Sequence, residues 1–240
     1  MGLFQKLAAE IDKNYAVLGH QSCWTFLYTP QETFRTNQKL AFIGLNPGGA
    51  ADQNYKNLIS CEDGNAYLVS DWENGYPPRN SPLQLQIQAL YKGIASHRPQ
   101  EDYEKMMNDS LAMNFIPYRS QSFAKLKNKN ETLKFCQGLL EESLEYTQPQ
   151  VTITMDKLAY AAVIKAFKKL YPDTEIQTEH EQIGWGKVEY EITTLLDAQK
   201  RLIVRIPHLS RYKIFNCEKC KPQIKRITKI ISDSISRNCR

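Results

Sequence analysis

The chain has 240 residues, 42% hydrophobic and 24% charged, with a formal net charge of +5 and a pI near 8.8. That is enough chain for one large core, and the composition excludes a low-complexity or disordered polymer. The six cysteines, at 23, 61, 136, 217, 220 and 239, are too sparse for a disulfide scaffold.

Taken in chain order, Leu3, Phe4, Leu7, Ala8, Ile11 and Tyr15 recur at helical spacing, so residues 1–19 are expected to form an amphipathic helix within a helical lead-in over 1–38. Residues 39–45 form an apolar run that stops at Asn46-Pro47-Gly48-Gly49, the pattern of a buried strand ending in a turn. A long stretch to Pro82 follows, rich in Asn, Gly and aromatic residues, including Tyr55, Tyr67, Trp72 and Tyr76. Loops of this length inside a domain are usually functional. Ser81-Pro82 opens a helix with Leu83, Ile87, Leu90 and Tyr91 on one face. A second buried strand is expected over 110–118, a helix over 131–146, a β-branched strand over 150–155 and an alanine-rich helix over 157–170. Residues 174–196 read as a hairpin or ribbon around Gly184-Trp185-Gly186, residues 201–206 as a short strand and 222–236 as the C-terminal helix.

Strands alternating with helices indicate a single domain over 1–240, a three-layer α/β/α sandwich with a central, largely parallel four- to five-stranded sheet. No apolar run reaches the ~20 residues a membrane span requires, and the N-terminus lacks the layout of a secretory signal. The expectation is a cytoplasmic monomer without membrane contact. Cys217 and Cys220 have metal spacing but no second close pair to complete four ligands, so neither metal nor cofactor is expected.

Basic residues gather at Lys125, Lys127 and Lys129, and again through Arg205, Arg211, Lys213, Lys219, Lys221, Lys225, Arg226 and Lys229. If the turns carrying them share a sheet edge, they form a patch that tracks a nucleic-acid backbone; the alternative is a solvated helix face and loop.

Four strand-end turns carry chemistry-bearing residues: Asn46-Pro47-Gly48, Asn114 with Pro117-Tyr118-Arg119, Thr154-Met155-Asp156, and Pro207-His208-Leu209-Ser210-Arg211. On these residues the chain resembles the uracil-DNA glycosylase superfamily. Gly44-Leu45-Asn46-Pro47-Gly48 is similar to that family's first motif, Met113-Asn114-Phe115 to its base-reading strand, and Pro207-His208-Leu209-Ser210-Arg211 to its late His-Pro-Ser turn. The pairing of Asn46 with His208 and Arg211 looks most like the single-strand-selective monofunctional branch; the mismatch-specific branch shares the Asn-Pro-Gly turn but has Asn at the His208 position. Leu209 departs from the family's proline.

The resemblance implies a monofunctional DNA glycosylase acting on a flipped-out uracil or 5-substituted pyrimidine in single- or double-stranded DNA, in base-excision repair or in defence against modified foreign DNA. Asn46 and His208 would be catalytic. Gly44, Leu45, Pro47, Gly48, Asn114 and Phe115 would line the base site, and Ser210, Arg211, Lys213 and Arg119 would contact DNA. The residue types suit that chemistry: breaking an N-glycosidic bond leaves charge on the departing base, which neutral His208 can stabilise by donating a hydrogen bond. An amide such as Asn46 can orient water but is no general base. Gly48 stands where the family's tyrosine excludes a C5 methyl, so the pocket is expected to admit 5-substituents.

Each residue also has a plainer reading: Asn114 as an ordinary strand amide, His208 as a core histidine, Ser210 as a helix cap and Arg211 as a surface charge. A binding protein that keeps the pocket without cleaving, and a small-molecule α/β enzyme using Gly44 to Gly49 for a phosphate, are the rival classes. The latter lacks its phosphate-loop fingerprints.

Overall fold

The computed structural model describes residues 2–49, 55–72, 76–77 and 79–236. The helices are α1 (Leu3–Val17), α2 (Ala66–Val69), α3 (Pro82–Ala95), α4 (Tyr103–Asp109), α5 (Lys129–Thr147), α6 (Lys157–Leu170) and α7 (Lys221–Ser236). The strands are β1 (Leu40–Gly44), β2 (Leu111–Asn114), β3 (Val151–Thr154), β4 (Ile176–Gln182), β5 (Glu189–Leu195) and β6 (Leu202–Arg205).

They form one six-stranded sheet in the order β2-β1-β3-β6-β5-β4, with β2, β1, β3 and β6 parallel and the β4–β5 hairpin antiparallel at one edge. All four parallel strands are buried along their whole length, as expected where helices cover both faces. Side chains alternate across the sheet. Ala41 and Ile43 join a core with α1, α5 and α6, while Leu40 and Phe42 join a second core with α3, α4 and α7. The three layers follow from that alternation.

The sheet is wider than the four or five strands expected because both arms of the 174–196 hairpin join it. The β4 sequence Ile-Gln-Thr-Glu-His-Glu-Gln is polar and largely exposed, which protects an outer edge against further pairing but hides the strand from a hydrophobicity pattern. One position behind this edge, Arg205 of β6 and Glu191 of β5 face each other in register as a buried ion pair. The Arg205 guanidinium also donates to the Glu189 carbonyl at 3.0 Å.

Two other differences concern β2. Its pairing stops at Asn114, and Phe115 and Ile116 instead donate to the carbonyls of Gly44 and Leu45, following the turn after β1. The helical lead-in ends at Val17. Residues 24–28 are then extended along the outer edge of β2, where Tyr28 N–H donates to the Ala112 carbonyl at 2.8 Å and Leu27 bridges Met113. Among the described residues no helix is long and apolar enough to cross a membrane.

Helix termini follow their local chemistry. Ser81 caps α3 in a reciprocal capping box with Gln84, Pro82 sits in the first turn, and Asp156 caps α6 by accepting from Leu158 N–H at 2.7 Å.

His20 is buried between α1 and α5, stacked on Tyr118 with ring centroids 4.1 Å apart and 3.1 Å from the Thr132 hydroxyl. Burial lowers its pKa from 6.5 to about 4. The folded state therefore holds it neutral, and its contribution is complete above the unfolded value and lost as pH falls toward the folded one. Lowering the pH from 7 to 5 should cost about 2 kcal/mol at this site alone, measured by urea unfolding, and His20→Gln should remove that part of the pH dependence.

Candidate active site

Because β2, β1, β3 and β6 are parallel and adjacent, their carboxyl ends share one edge of the sheet. Asn114 ends β2, Asn46 follows β1, Asp156 follows β3 and His208 follows β6. The chain leaves β1 in one direction to form β2 and crosses back to form β3, so β1 and β3 flank the switch in winding where open α/β sheets hold their ligands. All three residues expected to do chemistry, Asn46, Asn114 and His208, lie on this edge.

Asn46 is fixed by what its amide donates. Nδ2 reaches the Pro47 carbonyl at 2.9 Å and the Ser120 hydroxyl at 3.1 Å, and Ser120 donates in turn to the Ser122 carbonyl at 2.9 Å. Ser120 N–H closes the brace on the Pro47 carbonyl at 3.1 Å. With its donor end committed, Asn46 turns an acceptor, Oδ1, to whatever enters; no described residue donates to it.

Gly44 has a specific reason to be glycine. It stands in register with Asn114, and a Cβ at Gly44 would come within 2.1 Å of the Asn114 Oδ1. The Asn114 amide thus lies over bare backbone. The Tyr28 hydroxyl is in hydrogen-bonding reach of Asn114 and Thr25, and its ring stacks on Tyr67 at 5.4 Å and 12°. Tyr67 meets Phe42 and Trp72 edge-on, which makes this an aromatic wall on the α3 side of the sheet. Burial raises the Tyr28 pKa, so the phenol keeps its proton.

Phe115 is placed differently from the expectation that it lines the base site with Asn114. As the next residue along an extended segment it points to the opposite face, where it is buried in the α1/α5/α6 core and borders a recess of about 480 Å³ between α5 and α6. Leu45 packs toward that same core and Pro47 is buried, so both shape the turn from below. Gly48 is exposed, and a side chain there would meet nothing within 4 Å. Gly49 has φ +142°, and a Cβ on it would strike the Tyr55 hydroxyl.

Arg119 was expected to contact DNA. Its guanidinium donates to the Gly48 carbonyl and lies 3.7 Å over the Tyr55 ring, so it ties the turn after β1 to the segment at Tyr55. Residues 50–54, 73–75 and 78 of the long loop lie outside the described residues.

His208 is half-buried, with Nδ1 2.8 Å from the Ser210 hydroxyl. Its carbonyl accepts from Arg211 and Tyr212 N–H, both at 2.9 Å, which makes a tight turn. Leu209, which replaces the proline of the resembled family, is fully buried in the α3/α7 core and anchors that turn. Burial lowers the His208 pKa, and the Asp156 carboxylate partly offsets this. The ring is therefore neutral at neutral pH, and when Ser210 donates to Nδ1 the proton sits on Nε2, ready to be donated. Ser210, Arg211 and Lys213 are exposed.

The second basic cluster is thinner than its sequence. Arg205 is buried against Glu191, and Lys221, Arg226 and Lys229 pair with Glu218, with Glu179 and Glu181, and with Asp233. Arg211, Lys213 and Lys219 have no carboxylate partner among the described residues. Cys217 and Cys220 are free thiols in the turn before α7, hydrogen-bonded to each other, and no described group of three or more His, Cys, Asp or Glu residues has the arrangement of a metal site.

Sequence reasoning missed Ser120, Tyr28 and the electrostatic role of Asp156. Ser120 carried a faint signal as the end of the turn after β2. Tyr28 carried none, since an extended segment 86 positions before Asn114 delivers it to the site.

Fold and site together define a doubly wound α/β protein whose winding switch carries polar side chains beside a cluster of largely buried aromatic rings. No protein-family model and no curated protein matches the chain.

The glycines at the first turn separate two effects. Gly44→Ala should lower stability by about 1–3 kcal/mol in urea unfolding, because its methyl must displace the Asn114 amide. Gly48→Ala, facing open space, should change it by less than about 0.5 kcal/mol.

Proposed function

We propose that the protein is a monofunctional DNA glycosylase that hydrolyses the N-glycosidic bond of a flipped-out uracil or 5-substituted pyrimidine. The observation that carries the reading is the placement of Asn46, Asn114 and His208 on one carboxyl edge, with Asn46 Oδ1 and His208 Nε2 left open by the bonds that hold those side chains and Asn114 engaged by the Tyr28 hydroxyl. The resemblance of the three motifs to the uracil-DNA glycosylase superfamily supports it, and so does the neutral state of His208.

In this reading the extruded base slides between the Tyr28–Tyr67 wall and the turn after β1. Asn114, offering a donor and an acceptor, reads its Watson–Crick edge after displacing the Tyr28 hydroxyl. As the glycosidic bond stretches, the sugar gains oxocarbenium character and negative charge grows on the base. His208 Nε2–H donates to the base carbonyl oxygen, and a preorganised donor of this kind is worth about 3–4 kcal/mol in the transition state. Asn46 Oδ1 accepts a hydrogen bond from the attacking water, orienting it toward the anomeric carbon; it does not take the proton, so departure of the base drives the reaction and the proton lost by the water ends on the released base, directly or through solvent.

The site supports access for a substituent at C5. No described side chain lies within 4 Å of where a Cβ at Gly48 would stand, and specificity against an added small group requires a wall.

Base release from oligonucleotides containing uracil, 5-hydroxymethyluracil, mismatched thymine or glycosylated cytosine tests the proposal. Asn46→Ala and His208→Ala should each fall by at least about a hundredfold while still binding DNA. Equal activity in all three proteins, or tight binding without release by the wild type, would refute catalysis at this site. The wild-type rate should decline on acidification as His208 takes up a proton, and Gly48→Tyr should confine activity to unsubstituted uracil.

A further inference from the structure

The β4–β5 hairpin plays no part in the site described so far, yet its tip lies on the same edge. β4 runs parallel to β6, so the turn after Gln182 emerges beside the carboxyl ends of β3 and β6. At ~4.8 Å per strand spacing, β5 and β4 lie about 5 and 10 Å from β6.

The tip carries Trp185, 38% exposed, between Gly184 at φ +95° and Gly186 at φ +56°. It is a fixed residue. A Cβ on Gly184 would approach the Lys219 carbonyl oxygen to 2.2 Å, so this glycine lets the tip press directly onto the backbone of the turn before α7. Val188 N–H closes the tip on the Trp185 carbonyl at 3.0 Å.

Trp185 meets Tyr212 edge-on, with ring centroids 6.2 Å apart at 76°, and the Arg211 guanidinium lies 5.3 Å from the other ring. Tyr212 belongs to the His208 turn through its N–H bond to the His208 carbonyl. The exposed aromatic face therefore continues directly from the turn that carries the imidazole.

The charge around it is one-sided. Arg211 and Lys213 flank Tyr212 in the chain, Lys187 follows Trp185 by two residues, Lys219 carries the carbonyl that Gly184 approaches, and all four are exposed. Of the neighbouring carboxylates, Glu218 pairs with Lys221 at 2.6 Å and Glu181 with Arg226 at 3.1 Å, leaving Glu189, and Asp156 beside His208, against four cations. An exposed π-face with cations in the adjoining turns fits an unstacked base with its phosphates, since every base can stack and every phosphate can be neutralised.

We infer that Trp185, Tyr212 and Arg211 form a stacking platform for a base of the DNA strand flanking the flipped nucleotide. This rests on the glycosylase reading. The platform binds the displaced strand beside the pocket and favours single-stranded or locally opened DNA, because a paired base has no free face to offer.

Fluorescence anisotropy with a labelled single-stranded oligonucleotide lacking any excisable base tests the platform apart from catalysis. Trp185→Ala should raise Kd about tenfold with an unchanged salt slope, since it removes stacking and no phosphate contact. Trp185→Phe should bind within about threefold of the wild type, and Arg211→Ala should flatten the salt slope by about one. If wild type excises a base while Trp185→Ala and Trp185→Phe both bind as tightly as wild type, the platform is wrong and the glycosylase reading stands. If wild type neither releases a base nor binds DNA, both fall.

Discussion

Parallel, in-register pairing of β2, β1, β3 and β6 is the constraint on which the site depends. Gly44 pairs with Asn114, Ile43 with Thr154 and Thr154 with Arg205, so the four strands end within a residue or two of each other. Four turns from distant parts of the chain are thereby held at one edge by the pairing of the sheet itself. The buried strands make this edge rigid, because a slip of one residue would exchange the two core faces along the whole strand. Polar side chains carried on such ends are positioned by the sheet and need only local bonds to fix their rotamers.

Those local bonds have a common design. Asn46 spends its donors on Pro47 and Ser120 and keeps an acceptor; His208 engages Ser210 through Nδ1 and keeps Nε2. Asn114 gains its position from the absence of a side chain at Gly44. Burial keeps both His208 and Tyr28 neutral, the first through a lowered pKa and the second through a raised one. In the proposed reaction a neutral donor facing a base that becomes anionic would gain strength as the bond breaks, which is what differential stabilisation of a transition state requires.

Much of the fold was legible because its elements are punctuated by strong local chemistry. The strand ending at Gly44, the helix opened by Ser81-Pro82 and the helix capped by Asp156 all announce their own boundaries, and the isoleucine stripe of α7 has an unmistakable helical period. The polar edge strand β4 was harder, since its role is to face water. Two short helices, α2 and α4, are stabilised by contacts rather than by length: Asn65 caps α2 and also donates to the Met107 carbonyl at the end of α4. At the site, the strand-end placement of Asn46, Asn114 and His208 was legible in the sequence, while the roles proposed for them rest on the motif resemblance. Phe115 was grouped with Asn114 at the base site although strict alternation along an extended chain already sets it on the opposite face. Tyr28 depends wholly on tertiary packing of the 24–28 segment on β2, and no local pattern encodes it.

The central claim is that Asn46, Asn114 and His208 enclose an extruded pyrimidine. The most direct test is a crystal structure with an oligonucleotide carrying a 2′-fluorinated deoxyuridine, whose glycosidic bond resists cleavage. The account predicts the base against the Tyr28–Tyr67 wall, its Watson–Crick edge on Asn114 and a carbonyl oxygen within hydrogen-bond distance of His208 Nε2. A uridine that stays stacked in the DNA, or a base bound elsewhere with these three residues unoccupied, would contradict it.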